Sequence, residues 1–449
     1  MSTRVSDAVT DRSARGIAAA VSRLVTDGLL TPGERLPTVR ALAGQLGVSP
    51  TTVSEAWQVL SDAGAIDTRG RLGTFVVGLP RAPGPRRYRN ITEVHGTFSL
   101  DLSTGTPDPQ LLPDLAAVLA RVSRRSLTTS YLDDPVLPQL GEVLIDAWPF
   151  RPEALTVVDG AMDALDRVIT TLVRLGDRVI VERATFPPLL DLLEQLGADI
   201  IGVDVDAEGI VPSSLEAALE LMPVALFTQP RAHNPLGISS SAKRIATLAK
   251  LVRPTAVTIV EDDHAGDIAA TPLASFGRHL PSRTILVRSF SKSHGPDLRL
   301  SAVGGAGEPI HRMADRRMLG PGWSSRLLQA VLAELLTDGR TLDTVAGARD
   351  EYARRRAALT AALAARDVGY SGADGINLWV EVDDERAAQL GMAARGIGVA
   401  PGSPFLVAPD GRDHVRLTVG LVRSGADELA AQLADVAVVN SRRGRTAAR

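Results

Sequence analysis

The sequence predicts a large α/β domain with a mainly parallel β-sheet, preceded by a small all-α domain with a winged helix-turn-helix pattern. The large domain is indicated by short apolar runs that alternate with amphipathic helical segments between residues 156 and 303. Such runs, rich in β-branched residues, are typical of a sheet covered by helices on both faces. The length of 449 residues also exceeds that of one ordinary domain.

Residues 1–79 are predicted to form three helices followed by a two-stranded wing. A short helix is expected from Thr38 to Leu46, and Gly47 then turns the chain. Ser49 can cap the next helix, and Pro50 suits its first turn because a missing N–H costs nothing there. A helix, a glycine turn and a second helix form a helix-turn-helix motif, which places the second helix in the major groove of DNA.

One break in composition divides the chain. Residues 80–90 combine proline, glycine and arginine without apolar periodicity, which is typical of a semi-rigid linker. We therefore expect a linker over residues 80–95 and a second domain over residues 96–440. The last nine residues, 441–449, carry four arginines and are expected to form a basic tail.

The composition excludes several classes of site. Cysteine is absent, so disulfides, thiolate catalysis and thiolate metal sites are excluded. None of the seven histidines has a histidine partner four residues away, so no metal site is expected. The sequence has no uninterrupted apolar run of 18 residues and no recognisable signal peptide, so we expect a cytoplasmic protein without a membrane partner.

Polar residues that follow the apolar runs are the candidates for a binding site. The clearest runs lie at residues 178–181, 224–227, 256–260 and 284–287. In open parallel sheets, ligands bind beyond the carboxyl ends of the strands. The residues to consider are therefore Gly160, Ala161, Glu182, Phe186, Asn234, Asp262, His264, Ser289 and Lys292.

Lys292 is the lysine best placed for chemistry. The chain has only three lysines, and Lys243 and Lys250 are most simply solvated residues of one helical segment. Lys292 follows a predicted strand, with Arg299 seven residues further on. A lysine beside serine hydroxyls and an arginine can form an imine with an aldehyde cofactor whose phosphate those groups bind, and Asp262 can keep a pyridine nitrogen protonated. The alternative is a structural ion pair between Lys292 and Asp262.

Four segments near the N-terminus form a specific pattern, namely Leu36 to Ala43, Val48 to Ser49, Thr51 to Val53 and Gly73 to Val76. Together they resemble the winged helix of the GntR family of bacterial transcription regulators, which implies that double-stranded DNA is a partner. The resemblance places six residues at the DNA: Arg40, Ser49, Thr51 and Thr52 in the helix-turn-helix motif, and Arg71 and Gly73 in the wing. The family commonly has an arginine where this chain has Pro50, and a domain that binds another partner instead of DNA is the alternative.

The large domain carries motifs at Asn234 to Gly237, at Glu261 to His264, at Ser289 to Lys292 with Arg299, and at Val415 to Leu417. In this order they resemble the fold-type I aminotransferases, the superfamily of aspartate aminotransferase. The resemblance implies pyridoxal 5′-phosphate (PLP) as the cofactor and a small α+β part at the C-terminal end of the α/β domain. Behind a GntR-type winged helix, such a domain resembles that of a MocR-type transcription regulator.

The resemblance also implies a role for individual residues. Lys292 would form the Schiff base, Asp262 would pair with the pyridine nitrogen, and Asn234 would bind the phenolic oxygen. The remaining roles are phosphate binding by Ser289, Arg299, Ala161 and Met162, ring stacking by Phe186, a contact to the other subunit's cofactor by Tyr131, and ligand carboxylate binding by Arg416. A domain-swapped homodimer follows from the role of Tyr131. Taken alone, Arg416 could equally be a surface arginine at a strand end.

Three places depart from the family pattern, and one of them is Val136-Leu137, which replaces the usual glycine after the Asp-Pro of the tyrosine motif. His264 stands where a tyrosine usually contacts the phenolic oxygen, and an imidazole can titrate near neutrality. Asp297 replaces a glycine and places a carboxylate close to the expected phosphate site. We therefore expect PLP to bind at Lys292, with His264 in the site, and with slow or negligible transaminase turnover.

Three functional hypotheses follow. The favoured one is a PLP-dependent DNA-binding transcription regulator that senses an amino-acid or related carboxylate or amine ligand through external aldimine formation. The others are an active PLP-dependent aminotransferase and a sensor of free PLP. Residues 1–79 favour regulation, because an enzyme needs no DNA-reading domain. Arg416 favours a carboxylate ligand.

Overall fold

The structure, a computed structural model, describes residues 2–26, 29–62, 65–68, 70, 73–77, 86–92, 98–124 and 130–437. The described residues divide into two compact units. The first comprises residues up to 86 with two short segments, 174–177 and 193–199, and the second comprises the rest. The predicted tail at 441–449 and parts of the predicted linker, 80–85 and 93–95, lie outside the described residues. The predicted domain boundaries therefore stay predictions.

The first unit has the predicted winged helix-turn-helix architecture. Its elements are α1 (Ser2–Ala8), α2 (Ala14–Thr26), α3 (Val39–Leu46), α4 (Pro50–Asp62), β1 (Ile66–Thr68) and β2 (Thr74–Val76). The two strands pair antiparallel, with Ile66 opposite Val76. The core of this unit is formed by side chains that α2, α3 and α4 bury, including Ile17, Val21, Leu42, Val53 and Leu60.

Local hydrogen bonds explain where α3 and α4 begin and end. The Thr38 hydroxyl accepts a hydrogen bond from the backbone N–H of Ala41 at 3.3 Å and caps α3. Gly47 ends α3 in the left-handed conformation, with φ of 67°. The Ser49 hydroxyl then accepts the Thr52 backbone N–H at 3.1 Å and caps α4, as the sequence predicts.

The second unit contains the larger part of the chain, and its elements follow in sequence order. The first half comprises α5 (Arg86–Thr92), β3 (Leu100–Asp101), α6 (Leu115–Val122), α7 (Pro138–Asp146), β4 (Ala154–Val158), α8 (Ala161–Leu172), β5 (Arg178–Glu182), α9 (Pro187–Gln195), β6 (Asp199–Val203), β7 (Val205–Asp206), β8 (Gly209–Ile210), α10 (Pro212–Leu219) and β9 (Ala225–Thr228). Helix α5 falls inside the segment expected to be a linker.

The second half begins with α11 (Ala242–Val252), β10 (Thr258–Asp263), β11 (Thr284–Ser289), β12 (Ser301–Gly305), α12 (Gly307–Met318), α13 (Arg326–Thr337) and α14 (Gly339–Ala364). It ends with β13 (Tyr370–Ser371), β14 (Asn377–Val382), α15 (Glu385–Ala393), β15 (Ile397–Gly398), β16 (Ala400–Pro401), β17 (Asp413–Thr418) and α16 (Ala426–Ala437). The predicted solvated lysines, Lys243 and Lys250, are exposed on α11.

A seven-stranded sheet forms the centre of this unit, in the order β4-β12-β11-β10-β9-β5-β6. Strands β5, β9, β10 and β11 pair in parallel, whereas β12 pairs antiparallel with both β11 and β4. The predicted mainly parallel sheet is thus confirmed. The middle residues of its parallel strands are apolar because helices cover both faces, and polar residues stand at the strand ends.

A smaller antiparallel sheet, β13-β14-β17-β16, forms the C-terminal part with α14, α15 and α16. This arrangement is the predicted small α+β part. Within the described residues, none of the helices combines the length and apolarity that crossing a membrane requires.

Candidate functional site

Lys292 lies in the turn that follows β11, at the carboxyl edge of the parallel strands. Its Nζ donates a hydrogen bond to the carbonyl oxygen of Gly105. Burial disfavours the charged ammonium, and the nearby Arg416 adds like-charge repulsion, so the pKa of Lys292 is lowered to about 8 although Asp262 acts in the opposite direction. A larger fraction of this amine is therefore neutral and nucleophilic near neutral pH than for an exposed lysine.

Asp262 lies near the end of β10, the strand that pairs with β11, and is only 5% exposed. Its Oδ2 accepts a hydrogen bond from Nε2 of Gln229 at 2.9 Å. Its Oδ1 is buried and has no hydrogen-bond partner among the described residues. Burial raises the pKa of this carboxyl to about 7. The unpaired oxygen is what a ligand that donates an N–H requires.

Asn234 follows β9 and is also buried, at 8% exposure. Its backbone N–H donates to Oε1 of Gln229 at 2.7 Å. Its side-chain Oδ1 is buried without a hydrogen-bond partner in the described part of the chain. Gln229 thus contacts both Asp262 and Asn234, two residues that the sequence predicts to hold one ligand.

The residues predicted to bind phosphate lie around the start of α8. Gly160 precedes the helix with φ of 100°, and a Cβ atom added there would lie 3.1 Å from Nη2 of Arg299. The same Nη2 donates to the carbonyl of Asp159 at 3.1 Å. Ala161 and Met162 then open α8, whose first N–H groups have no partner within the helix. These amides and the guanidinium suit an anion.

Ser289 ends β11, three residues before Lys292, and is buried. Its hydroxyl oxygen accepts the backbone N–H of Ser291 at 3.3 Å. The hydroxyl hydrogen can still be donated to a ligand. Asp297, which the sequence places near the phosphate site, is exposed to solvent.

His264 faces the backbone of the loop after β9. Its Nε2 lies 2.8 Å from the carbonyl oxygen of Ala232. A carbonyl only accepts, so Nε2 carries the proton and Nδ1 does not. Burial and the charge of Lys292 lower the pKa of His264 to about 4. The expectation that this imidazole titrates near neutrality is therefore wrong, because its charged form is desolvated.

Arg416 lies on β17 and is buried, which excludes the alternative of a surface arginine. Its Nη1 donates to Oδ1 of Asn377 at 3.2 Å, and its Nη2 donates to the carbonyl of Ser103. A Cβ atom on Gly105 would come within 2.5 Å of Nη1, so Arg416 packs on the same residue whose carbonyl binds Lys292. Two predicted ligand-binding cations thus meet at Gly105.

The two predicted aromatic residues lie in different environments. Phe186 is half-buried in the turn between β5 and α9. Tyr131 is 80% exposed, and its ring packs against Trp323 with centroids 5.8 Å apart. The predicted contact of Tyr131 with the other subunit stays a prediction.

Sequence reasoning missed a buried polar group beneath the site. Glu182 accepts the Thr228 hydroxyl at 2.6 Å and the backbone N–H of Gln229 at 3.1 Å, and its Oε2 lies 3.1 Å from Nε2 of His233. The sequence indicates only that Glu182 follows a predicted strand, and Gln229 belongs to none of the motifs described above. Position was the available signal, since Gln229 directly follows the last residue of β9.

These residues fit PLP. Asp262 has an unpaired oxygen for the pyridine N–H, Gly160 leaves an open cradle against Arg299, and Lys292 is a half-buried amine of lowered pKa. The donor set therefore offers an acid partner, an anion pocket and an amine. Each functional group that binding of PLP requires is thus already present among these residues.

The helix-turn-helix residues lie on the surface of the first unit. Arg40, Ser49 and Thr51 are exposed, whereas Thr52 is half-buried, with Oγ1 2.8 Å from the Ser49 hydroxyl. In the wing, a Cβ atom on Gly73 would lie 2.6 Å from Nε of Arg35. Arg71, the other predicted wing residue, lies outside the described residues. Ser49 thus caps a helix, whatever else it contacts.

Comparison with known proteins agrees with both halves of this description. Residues 99–433 match the family Aminotransferase class I and II, and residues 13–76 match Bacterial regulatory proteins, gntR family. The chain is 34% identical over 403 residues to the Vitamin B6 salvage pathway transcriptional repressor PtsJ of Salmonella typhimurium, covering 88% of this chain and 92% of the relative. The chain belongs to the MocR-type transcription regulators.

Further comparisons find another regulator of similar sequence and a solved structure of similar fold. The HTH-type transcriptional regulator TauR of Rhodobacter capsulatus is 28% identical over 459 residues, covering 90% of this chain and 93% of the relative. The structure is also similar to that of LysN, an α-aminoadipate aminotransferase from Thermus thermophilus complexed with N-(5′-phosphopyridoxyl)-L-leucine. The TM-score is 0.68 at 22% identity, covering 78% of this chain and 96% of LysN.

These comparisons confirm three predictions for the MocR-type chain. They confirm the class of function, a transcription regulator that joins a GntR DNA-binding domain to an aminotransferase-like domain. They confirm the fold class of the second unit. They also confirm PLP as the cofactor that this domain uses.

Proposed function

We propose that this regulator binds PLP at Lys292, senses an amino-acid-like carboxylate ligand beside it, and thereby changes the affinity of residues 1–79 for DNA. One observation carries the proposal. In a chain with a GntR winged helix, a half-buried amine, a buried carboxylate with an unpaired oxygen and a buried guanidinium surround one edge of the sheet.

Each group holds one part of the cofactor. When bound, PLP supplies an aldehyde carbon and an electron-withdrawing pyridine ring. Lys292 would hold the cofactor through Nζ, and Asp262 would accept the pyridine N–H on Oδ1. The Asn234 amide would bind the phenolic oxygen and Phe186 would cover the ring, while His264 would stay neutral because its pKa is about 4.

The pocket at the N-terminus of α8 would bind the phosphate of the cofactor. The N–H groups of Ala161 and Met162 would donate to the phosphate, the Arg299 guanidinium would neutralise it, and Ser289 would donate its hydroxyl hydrogen. Gly160 leaves room for this approach, since a side chain there would meet Arg299.

Arg416 supplies recognition of the effector. A planar guanidinium binds a carboxylate through two parallel hydrogen bonds. Arg416 is buried and adjacent to Gly105, which also contacts Lys292. A ligand with an amine and a carboxylate on neighbouring atoms would therefore engage Lys292's cofactor and Arg416 together, which supports an amino-acid-like effector.

Helix α5 contacts the turn beside this site through residues of the second unit. Arg87 Nη1 donates to the carbonyls of Leu406 at 2.7 Å and Pro404 at 3.3 Å. The ring of Phe405, between them, lies 5.3 Å from the guanidinium carbon of Arg416. Ile91 of α5 is buried in the same apolar cluster as Phe405. Reorientation of Arg416 by a ligand would thus shift the turn that holds α5.

The remaining partners follow from the exposed surfaces. Arg40, Thr51 and Thr52, with Ser49, Arg71 and Gly73, would contact double-stranded DNA. The exposed Tyr131 would reach the cofactor of a second subunit, which makes the protein a domain-swapped homodimer. A regulator of this kind acts in the cytoplasm, where its DNA is.

A second candidate is a sensor of PLP itself. The relative PtsJ is named a repressor of vitamin B6 salvage, and it is 34% identical to this chain. In that case PLP alone would change the affinity for DNA. An active aminotransferase is less well supported, because Nε2 of His264 already donates to Ala232.

The proposal is tested by absorbance titration of the purified protein. PLP should produce a band near the visible edge, and amino acids added afterwards should shift it. The matched probe is the amine that lacks the carboxylate, which should require a much higher concentration because it cannot engage Arg416. A chain that binds no PLP would refute the proposal, and equal responses to both ligands would remove Arg416 from it.

A further inference from the structure

Gln229 is a buried amide with a partner on each side. It is 4% exposed and directly follows β9. Its Oε1 accepts the backbone N–H of Asn234 at 2.7 Å, and its Nε2 donates to Oδ2 of Asp262 at 2.9 Å. Its own backbone N–H is held by both carboxylate oxygens of Glu182 at 3.1 Å.

The orientation of this amide is determined by chemistry. A backbone N–H only donates, so the atom that faces Asn234 must be the oxygen of Gln229. The atom that faces Asp262 must then be the nitrogen, whose hydrogen requires an accepting oxygen. Oδ2 of Asp262 is therefore an acceptor, and Oδ1 is the oxygen left for a ligand.

We propose that Gln229 is a positioning residue that holds Asp262 and Asn234 in register for the pyridine ring and commits Asp262 to accept the ring N–H. This inference rests on the proposed function, since it assumes PLP at Lys292. Gln229 acts through its two neighbours. One amide thus fixes the residue that faces the ring nitrogen and the residue that faces the phenolic oxygen.

Three substitutions of Gln229 alter its hydrogen bonds to Asn234 and Asp262 in different ways. Gln229→Leu removes both hydrogen bonds. Gln229→His keeps one ring N–H donor and one ring acceptor. Gln229→Glu keeps the shape but puts a second carboxyl against Asp262, so that a proton must be shared between them. The other charged groups acting on Asp262 are Asp263, Glu182 and Lys292.

The experiment measures three quantities on the full-length protein. The first is the PLP dissociation constant, the second is the pH midpoint of the PLP absorbance band, and the third is the unfolding midpoint without PLP. Gln389→Leu is the matched control, because Gln389 is 5% exposed on α15 and lies outside the predicted site.

Gln229→Leu should weaken PLP binding by about 10- to 100-fold, as expected for losing a hydrogen bond to a charged group, and should move the pH midpoint. Gln229→His should recover most of the affinity. Gln229→Glu should bind well at acidic pH and lose affinity as pH rises, because the shared proton is lost. Gln389→Leu should leave the dissociation constant and pH midpoint unchanged.

Two results would overturn the inference. The first is wild-type affinity and pH midpoint in Gln229→Leu. The second is an affinity loss with an unchanged pH midpoint and no rescue by histidine, which would make Gln229 only a part of the core. If Gln229→Leu does not fold, the histidine and glutamate variants decide by the same criteria. Failure of the wild-type protein to bind PLP would instead refute the proposed function.

Discussion

The two units present their predicted ligand-binding groups in opposite ways. In the winged helix, Arg40, Ser49 and Thr51 are exposed. In the second unit, Asp262, Asn234 and Arg416 are buried, and the first two each keep an oxygen without a partner in the described structure. Exposed groups are satisfied by water before a ligand arrives. Buried unpaired groups are satisfied only by the ligand.

The two units therefore differ in how much a single residue contributes to the free energy of ligand binding. A buried polar group without a partner costs the protein about 1–3 kcal/mol, which a ligand that supplies the partner returns. An exposed residue exchanges water for DNA phosphate or base edges, and many such contacts share the affinity. A substitution that leaves a buried group of the second unit without its partner should therefore cost at least as much affinity as one at the exposed DNA-facing surface, and loss of the amine of Lys292 should cost the most.

The largest effect is expected for Lys292→Ala. The cofactor then has no amine at this position, so the long-wavelength absorbance band should be absent at any PLP concentration. Lys250→Ala is the matched control, because Lys250 is exposed on α11. A band of normal intensity in Lys292→Ala would assign the cofactor to another amine.

Asp262→Asn should weaken PLP binding by about 1.5–3 kcal/mol, the usual worth of a hydrogen bond to a charged group. It should also stabilise the protein without PLP above pH 7. Burial raises the pKa of Asp262 from its ordinary value of 3.8 to about 7, so the ionised carboxylate opposes folding increasingly as pH rises between these values. Denaturant unfolding at pH 5 and pH 8 measures the difference.

The neighbouring Asp263 provides the control for this experiment. Its carboxylate accepts two hydrogen bonds from Arg231, both at 2.7 Å, and this guanidinium lowers the pKa of Asp263. Asp263→Asn should therefore destabilise the protein, by about 3–5 kcal/mol if the buried pair behaves as others do. If Asp262→Asn and Asp263→Asn change the free energy of unfolding equally, the two carboxyls do not differ in the way that their hydrogen bonds indicate.

Uptake of PLP by the free protein should accelerate with rising pH. The pKa of Lys292 is lowered from 10.5 to about 8. Most of its ammonium groups are therefore deprotonated to the nucleophilic amine once the pH exceeds about 8. His264 should add no inflection between pH 5 and pH 8, because its pKa is about 4. Initial rates of band formation from pH 6 to pH 10 measure this. A rate that first rises near pH 10 would indicate an exposed lysine instead.

The sequence predicted those parts of the site that follow from position along a strand. Lys292, Asp262 and Asn234 each follow or end a parallel strand, so their meeting at one edge could be expected. The role of Gln229 could not be predicted, because glutamine occurs in many structural environments. The orientation of its amide depends on the backbone N–H of Asn234. The direction of His264 depends on the carbonyl of Ala232, which no pattern in side chains reveals.

The fold was predictable to a similar extent. The runs that became β5, β9, β10 and β11 are apolar and β-branched, and they pair in parallel as expected. The antiparallel insertion of β12 was not predicted, because strand direction depends on the connection and not on the residues of the strand. Helix α5 was also missed, since its arginines suggest a linker.

A smaller effect is expected for Arg40→Ala in the winged helix. The loss should be about 1–3 kcal/mol of DNA affinity if Arg40 contacts a base, or a reduction of about one in the salt slope if it contacts a phosphate. Arg23→Ala is the control, because Arg23 is exposed on α2 outside the motif. Unchanged promoter binding in the double variant Arg40→Ala, Thr52→Ala would remove the helix-turn-helix from the account.

The most direct measurement of the central claim is the DNA affinity of the full-length protein with and without PLP and amino acids, at one fixed salt concentration. The wild-type affinity should change when the site at Lys292 is filled, and Lys292→Ala should bind DNA with an affinity that none of these ligands alters. If wild type and Lys292→Ala bind DNA identically under all conditions, the cofactor site does not control the winged helix, and the account is contradicted.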